Sequence, residues 1–502
     1  GLVHIRESFT FKKTNWLLFT RILEASPPIN PTISTALELD QAAQHLKDTL
    51  NKALDTSTKL IKLKNKPKKI ISIPEILLSQ IKLKRKLKRK LFKTQSPELR
   101  KIYNMLNRKI KIAIGNLKAS NLLSNFQALE GFKCSVSKHW KLLNKFDQLG
   151  KKKHKQSYFK LDGEIIDQDQ EISEQFAIYL NTINGQPTLI EIDPEPPDHN
   201  APDIETTDIT LQEMMSALMS CKSEGAPGTD TITNKMLKLC PHNIQSTFLQ
   251  IFNASLKLGH LPNTWKLSKV IMIHKSNKPN DEFSSYRPIS LISCISKWLE
   301  KIINTRLLNW AETKNILPPC QSGFRKNKSC HDHIARFDQY ISEGFNKNQY
   351  TGCVLFDLEK AFDKASHQGI LHKLKKSNLP QGLLLWIQDF LSDRSFNVPW
   401  NSAISSTLFC KTGVPQGSCI SPTLFNIFFS DIALDIPKEV LKALYADDLG
   451  ILFRSHCLKE ITAILQSAIN AIASYCQKWG FKINKSKTTY TVFCTAGHRK
   501  NY

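Results

Sequence analysis

Ala443-Leu444-Tyr445-Ala446-Asp447-Asp448-Leu449-Gly450-Ile451-Leu452-Phe453 is the stretch whose reading decides the fold. Two apolar runs flank two adjacent acids. The simplest structure is a hairpin of buried strands with the acids at its turn. Adjacent carboxylates in a tight turn repel each other, and a divalent cation relieves that repulsion. Asp also serves hairpin turns for backbone reasons alone, so the pair needs companions before it specifies a site.

A companion lies upstream. Val354-Leu355-Phe356-Asp357-Leu358 reads as an apolar strand ending in an acid, and Glu359-Lys360-Ala361-Phe362-Asp363 then opens a helix. An acid at the end of a buried strand is costly unless it is paired or metal-bound; a helix cap or a salt bridge is the alternative. Phosphoryl transfer with two metals about 4 Å apart needs carboxylates brought from separate strands. One metal lowers the pKa of an attacking 3′-hydroxyl, and both stabilise the in-line transition state. Between the two acidic elements lies Gly413-Val414-Pro415-Gln416-Gly417-Ser418, followed by Ser421-Pro422-Thr423-Leu424-Phe425-Asn426. Two glycines and a proline define a loop through which a ligand can approach the backbone. Ser421 is expected to cap the next helix, with Pro422 in its first turn. The loop is not a Walker sequence, because no Gly-Lys-Ser/Thr follows at the required spacing.

Charge points the same way. The 502 residues carry 70 Lys and Arg against 44 Asp and Glu, a net +26, which favours a polyanionic partner. Nucleic acid is the better match than a membrane, since no run of about 18 apolar residues occurs. Gly382-Leu383-Leu384-Leu385-Trp386-Ile387 is shorter and reads as a buried helix. Between Lys59 and Lys118 stand 20 Lys and Arg, with Glu75 and Glu98 as the acids. Within that segment Lys82, Lys84, Arg85, Lys86, Lys88, Arg89 and Lys90 surround Leu83, Leu87 and Leu91, and Ile102, Leu106 and Ile110 repeat the spacing. Two amphipathic helices follow, one stripe packed and the basic face presented to phosphates. A solvated face or a nuclear-import signal is the alternative. Twelve scattered cysteines indicate free thiols in a reducing compartment, and Cys320, Cys330, His331 and His333 match no standard zinc spacing.

In this order the elements resemble the palm motifs of reverse transcriptases. Asp357–Asp363 looks like motif A, Gly413–Phe428 like motif B, and Tyr445-Ala446-Asp447-Asp448 like motif C. Trp479–Thr488 resembles motif D. Ile271–Lys275 and Tyr286–Leu291 resemble fingers motifs, Gly225–Asp230 the motif preceding them, and Gln321-Ser322-Gly323-Phe324-Arg325 a segment of non-LTR elements. The Arg-Pro-Ile-Ser segment at Arg287 and the Ala-Phe-Asp before His367 resemble the non-LTR branch, and a jockey-like clade is compatible with them.

The resemblance implies roles. Asp357 and Asp447 would bind two Mg²⁺ or Mn²⁺ ions, with Asp448 assisting or orienting. Phe362 would stack under the sugar and exclude a 2′-hydroxyl. Lys275 and Arg287 would hold the triphosphate. Gln416 and Gly417 would border the nascent base pair. Lys487, or else Lys485, would stand near the pyrophosphate as a proton donor. RNA template, DNA primer and dNTP are the implied partners, inside the cell as a ribonucleoprotein of nucleus and cytoplasm. The sequence is silent on oligomeric state.

The expected fold class is α+β: right-hand polymerase fingers and palm, with an antiparallel palm sheet, preceded by a basic helical region. Residues 1–150 form that region. Residues 151–205 hold a hairpin around Phe159–Glu164, a helix through about Tyr179 and an acidic Pro-rich linker at Asp193–Asp198. Residues 206–502 form the polymerase part, with its core at about 255–495. The chain reads as a piece of a longer polyprotein, with an endonuclease before it and a thumb after it. The alternatives are a catalytically weak or inactive RNA-binding remnant of such an element, and a group II intron maturase, against which the non-LTR fingers pattern counts.

Overall fold

The computed structural model describes residues 10–27, 33–62, 74–130, 158–161, 163–187, 190 and 207–495. The acidic linker at Asp193–Asp198 lies outside them. Among the described residues, 10–11, 60–62 and 74–130 belong to one compact unit and the remainder to a second. No helix among them is long and apolar enough to cross a membrane.

The first unit contains the two expected basic helices, Glu75–Thr94 and Pro97–Glu130, packed on each other. The packed stripe differs from the expected one. Leu83 and Ile102 are exposed, at 50% and 45%, while Leu77 and Ile110 are buried. A strict four-residue step turns about 40° too far each time round a helix of about 3.6 residues per turn. The packed line therefore alternates steps of three and four, and leaves part of the leucine stripe behind. Lys82, Arg85, Lys86, Lys88, Arg89 and Lys90 are exposed, whereas Lys84 is half-buried with its ammonium 6.0 Å from the Tyr103 ring.

The second unit takes in residues 12–59, which the expected 1–150 region had grouped with the basic helices. Helices Trp16–Glu24 and Ala36–Ser57 pack on helix His242–Leu258, and Phe19, Leu23, Leu39 and Leu50 are wholly buried. Apolar burial, at roughly 25 cal/mol per Å², ties this stretch to the main core.

Two four-stranded sheets organise that core. The first runs Leu441–Tyr445, Asp448–Ser455, Tyr350–Phe356, Thr489–Phe493, antiparallel throughout. Its Tyr350–Phe356 strand is apolar, and all but Leu355 is buried. Helices Cys330–Asn346 and Leu458–Lys478 pack against it. The second sheet runs Leu408–Phe409, Ser395–Asn397, Leu267–His274, Tyr286–Leu291. The hairpin Phe159–Leu161 with Glu164–Ile166 forms as expected, and the helix after it runs Asp169–Asn184. Both join the second sheet through an aromatic cluster of Phe159, Phe176, Phe283, Tyr286 and Trp400, with ring centroids 4.8 to 5.9 Å apart. Helix Gln381–Leu391 buries Leu383, Leu384, Trp386 and Ile387, as its leucine run indicates, but leaves Leu385 exposed. The chain is thus a mixed helix-and-sheet fold, with the acidic strand ends of the first sheet placed near the second.

Candidate active site

Tyr445 pairs with Asp448 across a two-residue turn, Ala446-Asp447, with Ala446 at φ +57°. Asp447 therefore occupies the turn, while Asp448 begins the return strand instead of sharing the turn. Leu449 pairs with Phe356 on the neighbouring strand. One further step along this register sets Asp448 against Asp357, so the three acids gather at one end of the sheet.

Asp357 is held from the C-terminal side of the chain. Leu358 bridges to Ile483, and the Glu359 amide donates to the Lys482 carbonyl at 2.8 Å. Residues 482–488 thus run alongside 357–359. Asn484 donates to the Asp357 carbonyl through its backbone amide, at 2.8 Å, and to the carboxylate through Nδ2, at 2.9 Å. Lys487 Nζ reaches both carboxylate oxygens, at 3.2 and 3.1 Å.

The charges around these groups are only partly compensated. Burial first, then the charges of Asp448 and Asp357, push the Asp447 carboxyl above the usual carboxylate range, and Lys487 offsets part of this. Asp448 is pushed up by burial and by Asp357. Nearby, burial and the cations Arg287, Lys360 and Lys487 push the Lys275 ammonium down. These carboxylates and cations face a single cavity of about 1070 Å³. Asp357, Asp447, Lys275, Arg287 and Lys487 line it, as do Phe362, Gln416 and Gly417. Asp448 is not part of the lining, and Lys82 to Lys90 belong to the other compact unit.

Local sequence explains the loop that borders the cavity. Gly417 has φ +135°, and a Cβ there would meet the Ser290 carbonyl oxygen at 2.3 Å. Only glycine lets the loop lie this close to strand Tyr286–Leu291, where the Ser290 amide donates to the Gln416 carbonyl at 2.8 Å. The Gln416 side chain is tied at 2.8 Å to Asp363. Phe362 stacks on Phe425, centroids 4.4 Å apart and planes 17° apart. Ser421 is not the expected cap. Helix Ser421–Phe428 begins at that residue, Ile420 takes the cap position, and the Ser421 hydroxyl has no partner among the described residues.

The donor set suits a hard divalent cation, which takes carboxylate oxygens. Among the described residues no group of three or more His, Cys, Asp and Glu is drawn together as a metal site. Asp357 is instead turned on Lys487 and Asn484. The fit lies in the carboxylate donors and in the repulsion among Asp357, Asp447 and Asp448 that Lys487 offsets only in part.

Two supports were not singled out from sequence. Asp363 is half-buried, and loss of solvent around its carboxyl raises it above the usual range. Glu300 on helix Cys294–Thr313 is wholly buried and accepts from Ser296 Oγ at 2.8 Å, Ser418 Oγ at 2.6 Å and the Cys419 amide at 2.9 Å, which anchors the 413–421 loop. Glu300 sits in a helix with no motif around it, and no local signal marks it.

Residues 273–500 match the sequence model of the family described as "Reverse transcriptase (RNA-dependent DNA polymerase)". The chain is 30% identical over 499 residues to the "Probable RNA-directed DNA polymerase from transposon BS" of Drosophila melanogaster, covering 96% of this chain and 54% of that one. It is 26% identical to the "RNA-directed DNA polymerase from mobile element jockey" of the same species, covering 95% and 53%, and 27% identical to its "Probable RNA-directed DNA polymerase from transposon X-element", covering 97% and 54%. The sheet that gathers the acids lies within the matched domain. The chain thus carries a reverse transcriptase domain at residues 273–500 and is similar over nearly its whole length to polymerases of non-LTR mobile elements, and it spans about half the length of the curated relatives it matches.

Proposed function

We propose that this chain is an RNA-directed DNA polymerase that adds dNTPs to a primer 3′-hydroxyl on an RNA template. In this reading the sheet holding Tyr350–Phe356 is the palm, and the Leu267–His274 and Tyr286–Leu291 strands belong to the fingers. The observation that carries it is the single cavity whose lining combines Asp357 and Asp447 with Lys275 and Arg287. That combination matches a nucleoside triphosphate, whose phosphates need fixed cations and whose reacting end needs carboxylate-held metal.

The family generally uses divalent metal ions. Asp357 and Asp447 would hold two Mg²⁺ or Mn²⁺ ions, with Asp448 orienting them. When bound, such ions activate the 3′-hydroxyl and neutralise charge building on the phosphate. The protein's own residues do the rest. Lys275 and Arg287 bind the triphosphate, and its charge offsets the repulsion that, after burial, pushes the Lys275 ammonium down. Phe362, braced by Phe425, offers a flat face under the sugar where a 2′-hydroxyl would clash. Gln416, fixed by Asp363, and Gly417, fixed by Ser290, border the base pair. Lys487 lines the same cavity and carries a proton that can pass to the leaving pyrophosphate. The exposed lysines and arginines from Lys82 to Lys90 offer their charge to the phosphates of the template RNA. Primer extension on an RNA template, with Asp447 intact and replaced, tests this.

A further inference from the structure

Ala446, directly before Asp447, has φ +57°, a left-handed conformation disfavoured for any residue with a Cβ. Something outside the turn must hold it. Gln321 is 1% exposed and commits its whole side-chain amide to this place. Its Oε1 accepts from the Ala446 amide at 2.9 Å and from the Gly323 amide at 2.8 Å, and its Nε2 donates to the Ala446 carbonyl at 3.2 Å. The Ala446 residue is thus bracketed on both sides by one buried side chain.

The surrounding backbone reinforces the bracket. The Ser322 amide donates to the Leu444 carbonyl, and the Leu444 amide to the Cys320 carbonyl, each at 2.8 Å. A Cβ on Gly323 would lie 2.4 Å from the Ala446 nitrogen, so only glycine lets the two segments come this close. The Gly323 carbonyl accepts in turn from buried Asn426 Nδ2 at 2.7 Å, which fixes the segment to helix Ser421–Phe428.

We propose that Gln321 is a positioning residue for the catalytic turn: its amide fixes the Ala446 backbone and so places the carboxylates of Asp447 and Asp448. This rests on the reading of Asp447 as a metal-holding residue. The physical reason is leverage. A two-residue turn has few torsions, so freeing Ala446 moves the next side chain directly, and a displacement of about 1 Å in a reacting group costs on the order of 10²-fold in rate.

The test uses the full chain with Gln321→Met, which keeps length and loses every side-chain hydrogen bond, and Gly323→Ala, which fills the approach space. Single-nucleotide extension gives kcat, the dNTP KM and the Mg²⁺ concentration for half-maximal rate; amide hydrogen exchange follows residues 443–450. Both variants should lose kcat, Gln321→Met by about 10²-fold, need more Mg²⁺ and leave the dNTP KM within about two-fold. Exchange should rise at 443–450 and stay unchanged at 350–356. Wild-type kcat and Mg²⁺ dependence in both variants would overturn the proposal. So would a loss that only follows a chain-wide rise in exchange. If the unmodified chain extends nothing, the proposed function fails, while the exchange pattern still decides whether Gln321 holds the turn.

Discussion

Lys487 Nζ stands 3.2 and 3.1 Å from the two carboxylate oxygens of Asp357, where a divalent cation would otherwise supply the positive charge. The lysine side chain is 62% exposed and the aspartate 31%, so the pair is screened and contributes at most about 1 kcal/mol. Lys487→Met should therefore tighten Mn²⁺ binding without nucleotide by up to about five-fold. Paramagnetic resonance titration of free Mn²⁺ measures it. Unchanged or weaker binding would show that Lys487 does not compete for Asp357.

Phe362 lines the cavity with its ring held flat on Phe425. Shortening it to alanine opens room beneath the sugar. Phe362→Ala should lower the preference for dNTP over NTP by at least about ten-fold, the scale of a single steric difference in a pocket. Competing single-nucleotide incorporations give the ratio directly. A ratio equal to the unmodified protein's would remove Phe362 from sugar selection.

Lys82, Lys86, Arg89 and Lys90 all face solvent on helix Glu75–Thr94. Replacing the four by glutamine should weaken RNA binding and flatten its salt dependence. The slope of log affinity against log salt falls by about 0.7 for each single-strand phosphate that the protein no longer neutralises. Fluorescence anisotropy across a salt series reads this, and a slope equal to the unmodified chain's would leave that face to solvent or to nuclear import.

Where burial forces a local pattern, sequence was enough. The Tyr445–Asp448 hairpin and the Asp357 strand end lie in apolar runs whose length and flanks leave few other structures, whereas Gly417, read as room for a ligand, admits the Ser290 carbonyl instead. Long-range pairings were not legible. The Lys487–Asp357 pair spans 130 residues and the Gln321–Ala446 pair 125, and neither side carries a local cue to the other. Ser421 misled because a serine before a Pro-containing helix start resembles a cap, yet here the helix begins at it. Leu83 misled because constant four-residue spacing drifts around the helix. The packing of residues 12–59 on helix His242–Leu258 hid behind the much stronger charge signal that follows it.

Single-nucleotide primer extension on an RNA template with Mg²⁺, comparing the unmodified chain with Asp447→Asn, is the most direct measurement. Asn keeps the volume and removes the charge that the reaction needs. Extension by the unmodified chain, reduced by at least about 10³-fold in Asp447→Asn and accompanied by no loss of fold in circular dichroism, is the expected result. Equal extension by the two proteins would contradict a catalytic role for Asp447, and no extension by either would leave an RNA-binding protein without the chemistry.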